Sequence, residues 1–353
     1  MNTKYWSADE ALADLNEAAA ALAAGGIVAF PTETVYGLGG DAGNTEAVRR
    51  IFAAKGRPSD NPLIVHVEDA SAALRLAKQV SDVERRLMET FWPGPLTLVL
   101  PVREGAVSPL VTAGLDTVAV RVPAHETARR LIAASGRPIA APSANRSGRP
   151  SPTLAAHVRE DLDGRIDGLL DGGPTGVGLE STVVQAAGDR IHILRPGGVT
   201  REMLQQAVGE RVSVFGSDSG TGEAAAPQEH APRSPGVKYA HYAPKGELLL
   251  VAGNPAAMIA AVQAQVTEAK ARGLRVGVLA SSEHAPRYEA DAVLDCGSRS
   301  EPELAAQSLY ALLRECDDRG LDFIVAEGYE ERGIGAALMN RLRKAAGGRV
   351  LHV

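Results

Sequence analysis

The first half of the chain alternates short, continuous apolar runs with longer segments whose apolar residues recur every three or four positions. The first pattern is typical of buried strands and the second of amphipathic helices. The predicted strands include Ile27–Phe30, Leu63–Val67, Leu96–Leu100 and Val118–Val122, and the predicted helices include Thr45–Ala54 and Thr127–Ala134. This alternation predicts an α/β domain.

The last third of the chain repeats the alternation more regularly. Its predicted strands are Leu248–Val251, Arg275–Leu279, Ala292–Asp295 and Phe323–Ala326, and its predicted helices are Pro255–Ala271, Pro302–Arg319 and Ile334–Ala345. Because one helix lies between most pairs of successive strands, the strands are expected to run parallel. The pattern favours a doubly wound parallel sheet.

A segment with almost nothing to bury separates these two regions. Residues Gly216–Pro232 are rich in Gly, Ser, Ala, Glu and Pro, a composition that indicates a linker. At 353 residues, of which 45% are apolar, the chain is long enough to form two cores. We therefore predict a first domain over residues 1–215, a linker segment over 216–245 and a second domain over 246–353.

Composition excludes several classes of protein. The net charge of −6 argues against a general nucleic-acid-binding surface, because such binding needs a surplus of Lys and Arg. No apolar run approaches the ~18 residues of a membrane span, and Met1–Asp9 does not have the pattern of a signal peptide, so we expect a cytoplasmic protein. The cysteines, Cys296 and Cys316, form no CxxC motif, and neither a disulfide framework nor a zinc site is predicted.

The first predicted helix ends in a corner that carries two cations. Asn44 is placed to cap the N-terminus of this helix, and Gly56 suits the left-handed position that follows a helix. Pro58 prevents the helix from resuming. Lys55 and Arg57 therefore lie on a short rigid corner, where they either bind a polyphosphate or simply complement the helix C-terminus.

Two other strands lead into small polar residues. Thr32 and Thr34 follow the first strand, and Ser143 and Asn145 follow the run Pro138–Ala141. Members of each pair are two residues apart, so in extended backbone they point the same way. They form either a ligand-binding edge or ordinary turns of Ser, Asn and Gly.

Two strands carry an ionisable residue on the face opposite their larger apolar side chains. His66 is one, and a lone strand histidine is more often structural. Arg121 is the other; by pattern alone it is solvated, and the alternative is bidentate binding of an anion. With Glu180–Val184 and Ile193–Gly197, these strands predict an anion-binding α/β cleft that has neither a P-loop nor a dinucleotide-binding loop.

Taken together, these motifs resemble the YrdC-domain threonylcarbamoyl-AMP synthases in their longer, two-domain form. The resemblance rests on Pro31–Gly39, Lys55 with Arg57, Ser143 with Asn145, Ser181–Val184, Arg195–Gly197, Ser234–Pro244 and Met339–Ala346. It implies an α/β fold, with a twisted mixed sheet and helices around a concave cleft in the first domain. The second domain is implied to be a doubly wound, Rossmann-like parallel sheet.

The resemblance also implies a nucleotidyltransferase that joins L-threonine, bicarbonate and ATP into threonylcarbamoyl-AMP, with release of pyrophosphate and water. A separate complex then transfers the threonylcarbamoyl group to tRNA, and stable nucleic-acid binding by this chain is not expected. Magnesium is expected on the ATP phosphates, without a metal site in the protein.

The family pattern distributes the roles over named positions. Catalysis is assigned to Lys55 and Arg57. L-Threonine is assigned to Thr34, His66, Arg121 and Ser181, with Arg121 on the carboxylate. ATP is assigned to Lys55, Arg57, Asn61, Thr117, Ala141, Ser143, Asn145, Ser151, Arg195 and Ser234. Ser234–Pro244 is further predicted to be a lid over the cleft, carrying Lys238, Tyr239, His241 and Tyr242; the alternative is a linker end that packs against the second domain.

Two other functions stay open at this point. A basic concave cleft would also suit a protein that binds double-stranded RNA or tRNA, although the overall acidity weighs against it. The segment Arg332–Leu338 looks like the pyrophosphate loop of small acetyltransferases. A tightly packed helix N-terminus explains the same segment.

Overall fold

The computed structural model describes residues 2–7, 12–216 and 242–353. Contacts divide the chain into two compact units. Two short segments, Gly148–Ser151 and Val177–Leu179, belong to the second unit, together with the described residues from Tyr242 onward. Most of the predicted linker lies outside the described residues, so the limits of the two domains stay a prediction.

The first unit contains a mixed sheet of eleven strands. These are β1 (Lys4–Ser7), β2 (Val28–Phe30), β3 (Gly37–Asp41), β4 (Ile64–His66), β5 (Leu96–Pro101), β6 (Thr117–Arg121), β7 (Ile139–Ala140), β8 (Gly168–Asp171), β9 (Thr182–Ala187), β10 (Arg190–Arg195) and β11 (Ser213–Phe215). Their order in the sheet is β1-β8-β2-β3-β7-β4-β6-β5-β9-β10-β11. The expected mixed sheet is confirmed, and its centre is β4, β6 and β5.

Helices pack against this sheet. They are α1 (Leu12–Ala23), α2 (Thr45–Lys55), α3 (Ala70–Leu76), α4 (Asp82–Phe91), α5 (Pro109–Thr112), α6 (Glu126–Ser135), α7 (Ala155–Leu162) and α8 (Arg201–Val208). The predicted ends of α2 are confirmed. The Asn44 side chain accepts hydrogen bonds from the first-turn amides, and Gly56 adopts the left-handed conformation at φ 61°.

The two faces of the central strands differ in character because side chains alternate along a strand. On one face, Val65 and Val120 join the large apolar core of the first unit. On the other face, Ile64 and Ala119 form a small apolar cluster with Val99 and Val183. This second face is defined here as the cleft face, since the polar residues of interest share it.

The second unit contains a parallel sheet of five strands. Its strands are β12 (Glu247–Ala252), β13 (Val276–Ala280), β14 (Ala292–Asp295), β15 (Phe323–Glu327) and β16 (Val350–His352), in the order β14-β13-β15-β12-β16. Its helices are α9 (Pro255–Ala271), α10 (Pro302–Asp318) and α11 (Ile334–Ala345), with a short 3-10 turn at Ala285–Arg287. The predicted Rossmann-like parallel sheet is confirmed.

Two further features of the described residues bear on the sequence predictions. Cys296 and Cys316 are both buried free thiols. None of the helices in the described ranges combines the length and the apolar character needed to cross a membrane.

Candidate active site

The cleft face gathers polar side chains from adjacent strands. His66 of β4 pairs in register with Arg121 of β6. Thr97 of β5 contacts Ser181, just before β9, with 2.7 Å between their hydroxyl oxygens. Because β4, β6, β5 and β9 are consecutive in the sheet, these side chains form one continuous polar strip.

Arg121 lies inside this strip and only 3% of the residue is exposed. The solvated position that the strand pattern favoured is therefore wrong. Arg121 Nη1 donates to Thr34 Oγ1 at 2.9 Å, and Nε donates to the Gly94 carbonyl at 3.2 Å. Its Nη2 lies 2.6 Å from Oε1 of Glu33. The burial arises because the loop after β2 and the turn before β5 both close over β6, which the local pattern of β6 does not reveal.

Thr34 is held in place by its own loop. Thr32 Oγ1 lies 2.8 Å from Thr34 Oγ1, accepts from the Thr34 amide at 3.1 Å and donates to the Val35 carbonyl at 2.6 Å. A threonine two residues away thus orients the hydroxyl that meets Arg121. The expectation that the two hydroxyls face the same side is confirmed.

His66 is buried next to Arg121. Burial lowers the pKa of His66 to about 3, and the positive charges of Arg121 and Arg195 lower it further in the same direction. The ring of Phe30 meets the His66 ring edge-on, with 6.2 Å between centroids. His66 is therefore a neutral imidazole in this strip, able to donate or accept a hydrogen bond but not to supply a charge.

Lys55 is turned inward from the end of α2, and 2% of it is exposed. Its Nζ donates to the carbonyls of Ser143 and Asn145, at 2.5 Å and 2.6 Å. Burial lowers the pKa of Lys55 well below its usual value, Arg57 lowers it further, and the Glu180 carboxylate counteracts both. The reading in which Lys55 merely complements a solvated helix end is therefore wrong.

Arg57 and Asn61 lie beside this lysine. Arg57 is half-buried, and its Nη2 donates to the carbonyls of Asn61 and Pro62 at 3.4 Å and 3.3 Å. Asn61 is fully buried, at 0% exposure, yet neither Oδ1 nor Nδ2 of its side chain has a hydrogen-bond partner among the described residues. A buried amide in this condition indicates a place where another molecule completes the hydrogen bonds.

Ser181 and Arg195 lie at the β9 end of the polar strip, next to Glu180, which acts on Lys55. Arg195 Nη2 donates to Ser181 Oγ at 3.1 Å, and its Nε donates to the Ser181 carbonyl at 3.1 Å. The Arg195–Gly197 motif has a packing reason, because a Cβ at Gly197 would lie 2.4 Å from the Glu180 carbonyl oxygen. The charge of Arg195 also reaches His66, where it lowers the histidine pKa.

The remaining predicted residues are placed differently. Ala141 is buried, and its amide donates to the Ile64 carbonyl at 2.9 Å, beside the cleft face. Thr117 begins β6, about 13 Å along the strand from Arg121, and lines a surface pocket of about 480 Å³ together with Val99 of the cleft face. Ser151 is buried and belongs to the second unit. The ATP-binding roles of these residues stay predictions.

Of the predicted lid, the structure describes residues 242–244. Ser234, Lys238, Tyr239 and His241 lie outside the described residues. Tyr242 is buried in the second unit, where its ring lies 5.2 Å from that of Tyr310. This is the packing that the linker-end alternative expects for this position, and the lid itself stays a prediction.

Two members of the polar strip have no role in the sequence predictions. Glu33 lies within the Pro31–Gly39 motif. Its negative charge and its position next to Thr34 are the sequence features that could have marked it as a binding residue. Thr97 gave no signal, because a threonine within a mostly apolar strand is common.

Comparisons with known proteins place the whole chain in one family. The family described as "Telomere recombination" matches residues 20–197, and the family "Threonylcarbamoyl-AMP synthase, C-terminal domain" matches residues 199–347. A relative named threonylcarbamoyl-AMP synthase from Bacillus subtilis (strain 168) is 50% identical, and the match covers 99% of this chain and all of the relative. A relative of the same name from Pyrococcus abyssi is 47% identical over 93% of both chains.

A solved structure is similar over the full length. The crystal structure of P. abyssi Sua5 complexed with L-threonine has a TM-score of 0.90 and 44% identity, and the match covers 100% of both chains. These matches do not favour the RNA-binding alternative. The acetyltransferase alternative is not favoured either, because Arg332–Leu338 lies inside the matched C-terminal family. The chain belongs to the threonylcarbamoyl-AMP synthase family.

Proposed function

We propose that this protein makes threonylcarbamoyl-AMP from L-threonine, bicarbonate and ATP, releasing pyrophosphate and water. The family supports an activity of this kind, since relatives that are 44–50% identical carry the name threonylcarbamoyl-AMP synthase. The structure of the P. abyssi relative was determined with L-threonine.

One observation in this structure supports the proposal most strongly. One set of buried residues suits an amino acid, and a second set of buried residues suits a polyphosphate. Arg121 with Thr34 matches a carboxylate and a hydroxyl. Lys55 and Arg57 provide cations beside Asn61, whose amide lacks partners. Arg195 contacts Ser181 and acts on His66 of the first group, and Glu180, the residue before Ser181, acts on Lys55 of the second.

The chemistry requires little from protein nucleophiles. Threonine and bicarbonate form a carbamate, and the carbamate oxygen attacks the α-phosphate of ATP while pyrophosphate leaves. In such an in-line displacement, positioning and charge stabilisation supply most of the acceleration. Arg57, Lys55 and Arg195 are the groups placed to stabilise charge on the leaving pyrophosphate. Magnesium enters with the substrate, on the ATP phosphates.

The remaining ATP contacts belong to the same proposal. Ser143 and Asn145 are fixed by the Lys55 ammonium through their carbonyls, which leaves the Ser143 hydroxyl available to the nucleotide. Ala141 would contribute backbone at the cleft floor. The product would pass to a separate complex that transfers the threonylcarbamoyl group to tRNA, without stable binding of nucleic acid by this chain.

The test is an assay of AMP and pyrophosphate release with one substrate omitted at a time. Release should require ATP, L-threonine and bicarbonate together, and serine should replace threonine poorly. Arg57→Ala should abolish most of the release, whereas Arg49→Ala, an exposed arginine on α2, should leave it intact. Release of ADP and phosphate, or release that does not depend on threonine, would contradict the proposal.

A further inference from the structure

Glu33 is a buried carboxylate beside the residues that face the amino acid. It lies in the loop between β2 and β3, next to Thr34, and 15% of its side chain is exposed. Both of its carboxylate oxygens are shielded from solvent. Oε1 lies 2.6 Å from Nη2 of Arg121, and burial, which would raise the pKa of Glu33, is outweighed by the charge of Arg121, which lowers it. Glu33 is therefore an anion in this strip.

The ion pair between Arg121 and Glu33 leaves each side chain able to form further hydrogen bonds. Arg121 uses one contact on each of its nitrogens, to Gly94, Thr34 and Glu33, and a guanidinium has further N–H donors. A carboxylate has about four acceptor sites; that of Glu33 accepts from Arg121 and from the backbone amides of Ala124 and Glu33, which leaves one site. The pair is thus a buried, neutral unit with one free donor side and one free acceptor side.

Charge balance determines what fits this unit. Adding an isolated carboxylate to Arg121 would place two anions on one buried cation, which is costly without a second positive charge. An α-amino acid brings that charge itself, because its ammonium and carboxylate are bonded to the same Cα. A zwitterion whose carboxylate lies on Arg121 holds its ammonium within a few ångströms of the same guanidinium, which is where Glu33 lies.

We propose that Glu33 binds the α-ammonium of the amino acid substrate and thereby makes the site specific for a zwitterion. This inference rests on the proposed function, in which Arg121 holds the threonine carboxylate. The simpler alternative is a positioning role, in which Glu33 only orients Arg121. The two roles differ in one respect: a positioning residue affects every carboxylate ligand equally, whereas an ammonium-binding residue affects only ligands that carry an amine.

The experiment compares two ligands on two proteins. The ligands are L-threonine and 3-hydroxybutyrate of matching configuration, which keeps the carboxylate and the hydroxyl but lacks the amine. Binding to the full chain is measured by calorimetry without ATP. Wild type should bind threonine about 10- to 100-fold more tightly than the analogue, the range expected for a charge-assisted hydrogen bond. Glu33→Gln should lose most of that preference by weakening threonine binding alone.

Several outcomes overturn the inference. Equal weakening of both ligands by Glu33→Gln would leave only the positioning role. Equal binding of both ligands to wild type would exclude ammonium recognition even if the variant fails to fold. Glu33→Asp, which keeps the charge on a shorter side chain, should restore part of the preference; a preference no better than that of Glu33→Gln would also count against it. If AMP release depends on threonine but wild type binds threonine and the analogue equally, the inference alone fails. Absence of threonine-dependent AMP release refutes the proposed function.

Discussion

Each unit contains a buried carboxylate paired with an arginine, and the two pairs differ in how fully they are hydrogen-bonded. In the second unit, Glu327 ends the central strand β15 and is almost completely buried. Its oxygens accept from the Ser281 amide and hydroxyl at 3.0 Å and 2.8 Å, from the Tyr288 hydroxyl, and from Arg299 Nη1 at 3.2 Å. His284 Nδ1 also lies 2.8 Å away.

The site of the first unit is incomplete by comparison. Glu33 contacts Arg121 and keeps one acceptor position, and the Asn61 amide has no partner in the described part of the chain. Leaving a buried polar group unpaired costs about 1–3 kcal/mol. A ligand that forms the missing hydrogen bonds removes this cost when it binds. We therefore interpret the hydrogen-bond network of Glu327 as structural, and the incomplete network around Glu33 and Asn61 as the binding site.

The largest effect expected from this comparison is on stability in the second unit. Glu327→Ala should lower the free energy of unfolding by about 3–5 kcal/mol, because it leaves Arg299 and the other donors buried without their acceptor. Urea unfolding followed by circular dichroism measures this. Glu330→Ala, an exposed glutamate three residues later, is the control and should change little. A loss below about 1 kcal/mol for Glu327→Ala would mean that the network is not structural.

The next largest effect is on catalysis in the first unit. Arg57→Ala should reduce turnover about 30- to 1000-fold, since a charge-assisted contact to developing phosphate charge contributes roughly 2–4 kcal/mol. Its stability should fall much less, because the guanidinium is half-buried and its hydrogen bonds to the Asn61 and Pro62 carbonyls are long. Steady-state pyrophosphate release at saturating substrates measures the effect. A turnover within twofold of wild type would remove Arg57 from the chemistry.

Local signals in the sequence predicted the second unit better than the first. Helices Pro255–Ala271 and Ile334–Ala345 were predicted to the residue. Asn254 caps the first of them, and Pro255 opens it, so its start is determined locally. Strand β14 at Ala292–Asp295 was also predicted to the residue. Each of these helices connects two parallel strands that have one other strand between them, and the regular alternation of strand and helix is enough to predict a parallel sheet.

The site of the first unit depends on contacts that no local pattern contains. Arg121 is buried because Glu33, Thr34 and Gly94 come from distant parts of the chain. The sheet order places β8 between β1 and β2, which alternation of strands and helices cannot predict. The role of Asn61 came from the family resemblance alone. Its surroundings show why it was not evident from the sequence: a buried, unpartnered asparagine looks like any loop asparagine.

A smaller effect concerns His66 and acid. The pKa of His66 is about 3 in the folded protein and 6.5 as an ordinary value, so below pH 6.5 the unfolded chain binds a proton that the folded chain does not. Stability therefore falls as pH falls from 6.5 toward 3, by about 1.4 kcal/mol per pH unit from this group. Between pH 7 and pH 5, wild type should lose about 2 kcal/mol more than His66→Gln. Identical pH slopes for wild type and His66→Gln would show that His66 is not held neutral.

The smallest effect tests the comparison at a single side chain. Asn61→Leu replaces an amide that has no partner with an apolar group of similar size, so stability should stay the same or rise by up to about 1 kcal/mol. The KM for ATP should rise about tenfold, as expected from one lost hydrogen bond to the ligand.

Asn44→Leu is the matched control. The Asn44 side chain is fully used as the N-cap of α2, so its loss should cost about 1 kcal/mol of stability and leave the KM unchanged. The two asparagines should thus give opposite results, one in binding and the other in folding. If Asn61→Leu loses stability and keeps its KM for ATP, the incomplete hydrogen bonding of the first unit does not mark a ligand site.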